Sequence, residues 1–159
     1  MTENEIGKIV VDSAIKVHRA LGPGLLESVY ETVLAHELTF RGLKVERQVS
    51  VPIEYEGLHF DEGFRADIIV EGKVILELKS VEQLHRVHYK QLFTYLKLKG
   101  LKLGYLLNFG AAMMKEGICR VINGLDDERL GVYGAVQEVE ALGYLSREEV
   151  DSPTEEPGS

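Results

Sequence analysis

The sequence predicts an α/β fold in which a mixed β-sheet is flanked by α-helices. Two observations carry this. The hydrophobic period switches from helical to two-residue at Leu43, and the apolar segments run in the order helix, helix, strand, hairpin, helix, strand, strand. Size agrees, because 159 residues that are 45% hydrophobic and 28% charged have the balance of one soluble globular domain. A core of that extent needs neither disulfides nor a structural metal.

Each element has a local reason. Thr2 and Glu5 have capping-box spacing, and Ile6, Ile9, Val10, Ile15, Val17 and Leu21 recur at mostly helical intervals until Gly22-Pro23-Gly24 stops the run. Leu26, Val29, Tyr30, Val33, Leu34 and Leu38 carry a second helix to Arg41, with Gly42 in the usual C-terminal glycine position. Leu43, Val45, Val49, Val51, Ile53 and Tyr55 then alternate with polar residues, a half-exposed strand bent near Pro52. Residues 64–70 and 74–78 form a hairpin turning around Gly72. Ser80 is placed to cap a third helix over 81–99, closed by Gly100. Residues 101–109 and 117–122 are two further strands. Residues 1–133 make one domain. The stretch 134–159 is an acidic extension with a weak helical pattern (Val136, Val139, Leu142), and its end, 151–159, is expected to be disordered.

Several function classes drop out. Cys119 is alone, so an internal disulfide is impossible, and no cysteine/histidine spacing reads as a zinc site. The start, Met1-Thr2-Glu3-Asn4-Glu5, is acidic, and no stretch approaches about 18 apolar residues, so the chain reads as cytoplasmic without membrane contact. Gly22-Pro23-Gly24 lacks the ending of a phosphate loop, and nothing resembles a serine or cysteine hydrolase. A net charge of −8 argues against coating nucleic acid by bulk electrostatics. Residues 134–159 account for −6 of it, with seven acids against one base, which leaves room for a local basic surface elsewhere.

The hairpin register can be tested on paper, since partners across an antiparallel pair have a constant sum and share a face. A sum of 144 gives one apolar face, Ala66/Leu78, Ile68/Leu76 and Val70/Val74. The other face then carries Arg65/Lys79, Asp67/Glu77 and Ile69/Ile75. A sum of 143 mixes both faces, although a two-residue Glu71-Gly72 turn would favour it; 144 needs a three-residue loop or a bulge. The register therefore sets two carboxylates side by side, which calls for a cation between them. The plainer reading is a solvated pair salt-bridged to Arg65 and Lys79.

Ala66-Asp67 followed ten positions later by Glu77-Leu78-Lys79 resembles the PD-(D/E)XK nuclease superfamily, with Ala66 in the place of the proline. Gly24-Leu25-Leu26-Glu27-Ser28-Val29-Tyr30 matches the G-x-x-E-x-x-Y motif of a family of small prokaryotic proteins within it, the GxxExxY family. Phe64-Arg65-Ala66-Asp67, His88-Tyr89-Lys90-Gln91 with Tyr95-Leu96, and residues 104–110 are similar to the rest of its pattern. The resemblance spans about residues 5 to 125. It implies a restriction-endonuclease-like core and a Mg²⁺-dependent nuclease, with Mn²⁺ as substitute, hydrolysing phosphodiester bonds in DNA or RNA. Asp67, Glu77 and the Leu78 carbonyl become metal ligands and Glu27 a further acid near the metal. Lys79 activates the attacking water, and Gln91 supports the site. Tyr30, Arg65, His88 and Tyr95 are candidate substrate contacts. Oxygen ligands suit Mg²⁺, which can acidify a bound water and neutralise phosphate.

Two readings stay beside this one. A catalytically silent module could keep the fold and bind a protein or nucleic-acid partner, and a nucleotide phosphohydrolase would share the metal site. Gln83, Arg86, Lys90 and Lys97 fall on another side of the third helix and are candidate phosphate contacts or a solvated face. With no separate reading domain, specificity would come from a homodimer, a protein partner, or substrate structure such as ends and single strands.

Overall fold

The first turn of the first helix is closed by Thr2 and Glu5 in a reciprocal capping box, as the spacing predicts. This computed structural model describes residues 1–125 and the backbone of 137–140. The elements are α1 (Glu3–Leu21), α2 (Glu27–Phe40), β1 (Val45–Tyr55), β2 (Leu58–Val70), β3 (Val74–Lys79), α3 (Arg86–Lys99), β4 (Leu103–Asn108), a single turn α4 (Met114–Gly117), β5 (Ile118–Ile122) and β6 (Gln137–Glu140). The strands form a six-stranded sheet in the order β1-β2-β3-β4-β5-β6, antiparallel except for β3 with β4 and β5 with β6. The expected mixed sheet flanked by helices is what forms.

β3 lies inside the sheet and is buried from Val74 to Leu78, as expected for a strand covered on both faces. Val74, Leu76 and Leu78 pack against α1 and α2 through Ile6, Val10, Ala14, Leu34 and Leu38. Ile75 packs the other way, with Ile69, Leu106 and Cys119, under Leu92 and Leu96 of α3. The alternation of one strand thus supplies both cores. The β2/β3 ladder has the register of 144, with pairs Ile68/Leu76, Ile69/Ile75 and Val70/Val74 around a three-residue turn, Glu71-Gly72-Lys73. Glu71 and Gly72 take φ of 53° and 62°, the left-handed conformation that lets three residues close the hairpin.

Four expectations need correction. β2 begins at Leu58 rather than 64, so β1 and β2 make a long arm turning at Glu56-Gly57, with a register shift beside Pro52. Residues 58–63 are exposed throughout, which is why no buried face marked them as strand. Ala66 packs with Val51, Phe64 and Ile69, not with Ile68 and Leu78. The third helix starts at Arg86, and Ser80 is not its cap, for a reason that belongs to the site below. The weak helical pattern around Val139 gives way to β6, which pairs with β5. The end at 151–159 lies outside the described residues. Among the described residues no helix is long and apolar enough to cross a membrane.

Candidate active site

β2 and β3 part beyond Ile68/Leu76, and side chains take over where the backbone ladder stops. The Asp67 N–H donates to Glu77 Oε1 at 3.3 Å, and Asp67 Oδ2 accepts from the Leu78 N–H at 2.9 Å. The pairs Ala66/Leu78 and Arg65/Lys79 that a continuing ladder would add do not form. Splaying the strands gives each of two opposed carboxylates a backbone donor, which a flat ladder would deny them. A strand residue's N–H and C=O point to the same side, so the Leu78 carbonyl opens onto the same gap.

The fork is electrostatically loaded. Burial and the Asp67 charge push the Glu77 carboxyl up to about 9, and Glu77 is only 9% exposed. Burial also raises Asp67, with the neighbouring Glu31 adding to it and the Leu78 N–H opposing. With Glu77 raised to about 9, the pair keeps a proton at neutral pH that a cation could replace. Lys79 follows on β3, and its charge favours the ionised form of both acids.

The turn after β3 is tied down by groups from the turn before α2, from α2 and from β4. Ser80 Oγ donates to the Leu25 carbonyl at 2.6 Å, and the Ser80 N–H donates to Glu27 Oε1 at 3.3 Å. Ser80 therefore joins β3 to the start of α2 and is not available as a helix cap. The Asn108 side chain, 3% exposed, accepts from the N–H groups of Val81 and Gly110 and donates to the Val81 carbonyl. Gly110 has no alternative here, because a Cβ would sit 2.3 Å from the Val81 oxygen.

Glu27 opens α2, where a carboxylate suits the helix dipole, and arrives there on the turn 22–26. Tyr30 holds that turn. Its hydroxyl donates to the Gly22 carbonyl at 2.5 Å and accepts from the Leu25 N–H at 3.1 Å, while its ring stacks on Phe109 at 4.5 Å. Tyr30 is fully buried, which corrects its assignment as a substrate contact; it positions the segment that carries Glu27. Tyr30→Phe should keep the stack, destabilise by about 1–3 kcal/mol in urea unfolding through two lost hydrogen bonds, and loosen Glu27.

Arg65 grips Glu62 with two bonds, at 2.7 and 3.0 Å, so its guanidinium serves the arm rather than the carboxylates. From α3, Tyr95 is raised by burial and by Glu77 and Asp67, while stacking on Phe64 at 4.0 Å. His88 is lowered by burial and by Lys79, and its Nδ1 accepts from the His85 N–H at 3.0 Å. Both therefore sit within the field of the site. Gln91 is exposed on the same helix, and among the described residues no hydrogen bond joins it to the acids.

Three residues that line the site, Ser28, Glu31 and Gln48, were not among the candidates read from the sequence. A cavity of about 300 Å³ is lined by Glu27, Ser28, Glu31, Gln48, Asp67 and Leu78. Glu31 is 6% exposed, pairs with Arg47 at 2.8 Å and accepts from the Gln48 side chain. Its spacing of four from Glu27, one turn of the same helix face, was the available signal. Gln48 takes φ 50° level with Asp67, between the pairs Arg47/Ile68 and Val49/Ala66, and nothing in its sequence context announces that.

Among the described residues no three His, Cys, Asp or Glu side chains are grouped to hold a metal by themselves. The donors at the fork nevertheless fit Mg²⁺, which takes one or two carboxylates and completes its shell with water and substrate phosphate. The half-buried Asp67 and the buried Glu77, each held by a backbone N–H at the gap, beside a main-chain carbonyl facing the same gap, are that set. A model of the PD-(D/E)XK nuclease superfamily matches residues 4–121. No curated protein and no solved structure matches. The chain belongs to the PD-(D/E)XK nuclease superfamily.

Proposed function

We propose that this superfamily member is a divalent-metal-dependent nuclease that hydrolyses phosphodiester bonds in DNA or RNA, with Mg²⁺ as the working ion. The observation that supports it most is the fork, where Glu77 accepts from the Asp67 N–H and Asp67 from the Leu78 N–H, so that two carboxyl groups meet at a gap that the Leu78 carbonyl shares. Gly24, Glu27 and Tyr30 further suggest the GxxExxY family of small prokaryotic proteins, acting in the cytoplasm through residues 1–133.

Asp67, Glu77 and the Leu78 carbonyl would hold the ion, with Glu27 near it across the cavity. An ion bound there would neutralise phosphate charge and make an attacking water more acidic. Lys79 places its ammonium beside the acids, where it orients the water and balances charge growing on the phosphate oxygens. His88, held neutral at pH 7 by burial and by Lys79, is suited to hydrogen-bonding rather than to pairing with phosphate. Specificity would come from a second copy, a protein partner or the shape of the substrate.

Calorimetric titration of Mg²⁺ and Mn²⁺, with cleavage of single- and double-stranded DNA and RNA on the same samples, tests this. Wild type should bind the ion and cleave at least one substrate. Lys79→Met should bind the ion nearly as well and cleave about 10²–10³-fold more slowly, the cost of one positioned donor. Wild type that binds no ion at millimolar concentration, with nucleic acid present, would sink the proposal.

A further inference from the structure

A second cavity, of about 180 Å³, lies where the end of α1 meets the segment 112–115. Ile15, Met113 and Met114 give it apolar walls, and His18, Arg19 and Lys115 bring the polar groups. No acid lines it, in a chain of net charge −8, and it shares no lining residue with the cavity at Asp67.

Its cations are uncommitted. The side chains of Arg19 and Lys115 are exposed and make no hydrogen bond or ion pair among the described residues. Arg19 has no acid three or four positions away on α1. His18 is only 7% exposed, and its Nε2 donates to the Ala111 carbonyl at 2.9 Å, which leaves Nδ1 of a buried ring without a partner among the described residues. The dipole of α1 accounts for basic residues in its last turn, but Lys115 comes from α4, and no dipole gathers it with them.

Size and charge select the ligand. Pockets for whole drug-sized molecules start at about 300 Å³, so this one takes a terminal group. Two cations around so small a space suit a dianion better than a monoanion, and a guanidinium fork fits the oxygens of a phosphate. Met113, 57% exposed, offers a polarisable surface to whatever the phosphate carries.

We propose that this cavity binds the phosphate monoester of a nucleotide, with the phosphate held between Arg19 and Lys115 beside His18 and the nucleoside against Met113. Free nucleotides and phosphorylated strand ends both present that group, whereas a diester within a strand has one charge fewer. Only the strand-end source rests on the nuclease reading. The cavity is at the same end of the sheet as the fork: the Gly22 N–H donates to the His18 carbonyl at 2.7 Å, opening the turn that leads to Glu27, and the Phe109 ring lies 6.4 Å from that of His18 and 4.5 Å from that of Tyr30.

The chain has three methionines, which makes the test local, because Met113 and Met114 line the cavity and Met1 stands before the opposite end of α1. Methionine-methyl NMR on the full chain in EDTA, titrated with adenosine 5′-monophosphate, should shift Met113 and Met114 and leave Met1 in place. Arg19→Glu with Lys115→Glu should weaken binding at least about tenfold, the loss of one charge-assisted hydrogen bond or more. Arg19→Lys with Lys115→Arg should restore most of it, and thermal melts should be unchanged, since both side chains are exposed. Asp67→Asn should bind the nucleotide like wild type. Short single strands with a phosphate at the 5′ end, at the 3′ end or at neither then separate the sources: a phosphorylated strand that binds more tightly than the free nucleotide assigns the strand end, and one that does not assigns the nucleotide. The site is overturned if millimolar nucleotide moves neither methyl, if the charge-reversed variant binds like wild type, if succinate binds as tightly, or if hydroxyl-ended strands shift both methyls equally well. Mg²⁺ binding and cleavage by wild type decide the nuclease reading separately, and their absence would leave this cavity standing.

Discussion

Asp67→Asn should abolish measurable Mg²⁺ binding and slow cleavage by about 10³-fold, the several kcal/mol of charge stabilisation a metal supplies, while leaving the protein at least as stable as wild type. The structure makes asparagine the informative substitution. Its Oδ1 can still accept from the Leu78 N–H, as Asp67 Oδ2 does at 2.9 Å, so the splayed ends of β2 and β3 stay joined. What disappears is the charge that helps to hold Glu77 up near 9. Relieving that repulsion should raise the urea midpoint at neutral pH. Asp67→Ala is a poorer probe, because it strips the Leu78 N–H of its acceptor in the gap and should cost about 1–3 kcal/mol. Asparagine that still binds Mg²⁺ like wild type, or cleaves within tenfold of it, would show that Asp67 is not the ligand proposed.

The sequence made the hairpin register legible because burial is two-sided there. Val74, Leu76 and Leu78 face α1 and α2, Ile75 faces α3, and a one-residue slip would have put charge into both cores. The opposed acids followed from that register. What the pattern could not show was the response of the backbone, since the splay is driven by side chains competing for N–H groups and has no periodicity of its own. The start of α3 was missed for a related reason. Ser80 is a good cap by type, but its hydroxyl and N–H are claimed by Leu25 and Glu27, more than fifty residues earlier in the chain. Asn108 is the same case in reverse, its position noted and its three bonds to the 81 and 110 backbone visible only in three dimensions. Tyr30 stood in a motif, and burial decided that it positions Glu27 rather than meeting substrate. Glu31 was within reach through its spacing from Glu27. Gln48 was not, because a left-handed φ inside a strand at a non-glycine residue carries no compositional mark.

In wild type without divalent ions, stability should fall as pH rises from about 5 to about 9, and Glu77→Gln should remove most of that fall. Glu77 has a folded pKa of about 9 against 4.5 for the free side chain, so through this window the folded chain holds a proton that the unfolded chain has released. Stability then decreases with pH; the contribution is complete below 4.5 and spent above 9. Each pH unit in the window removes up to about 1.4 kcal/mol, so several kcal/mol are at stake. Glutamine has no such proton, and its profile should be nearly level. Mg²⁺ should act in the opposite sense, because an ion held by Asp67 and Glu77 takes the place of the proton. Its stabilisation of wild type should therefore grow from small near pH 5 to largest near pH 9, and vanish in Glu77→Gln. Urea midpoints across this range, with and without Mg²⁺, measure both effects on a protein that need not be cutting anything. Parallel profiles for wild type and Glu77→Gln would mean that the proton is not at the fork, and the competition between proton and metal that the fork implies would go with it.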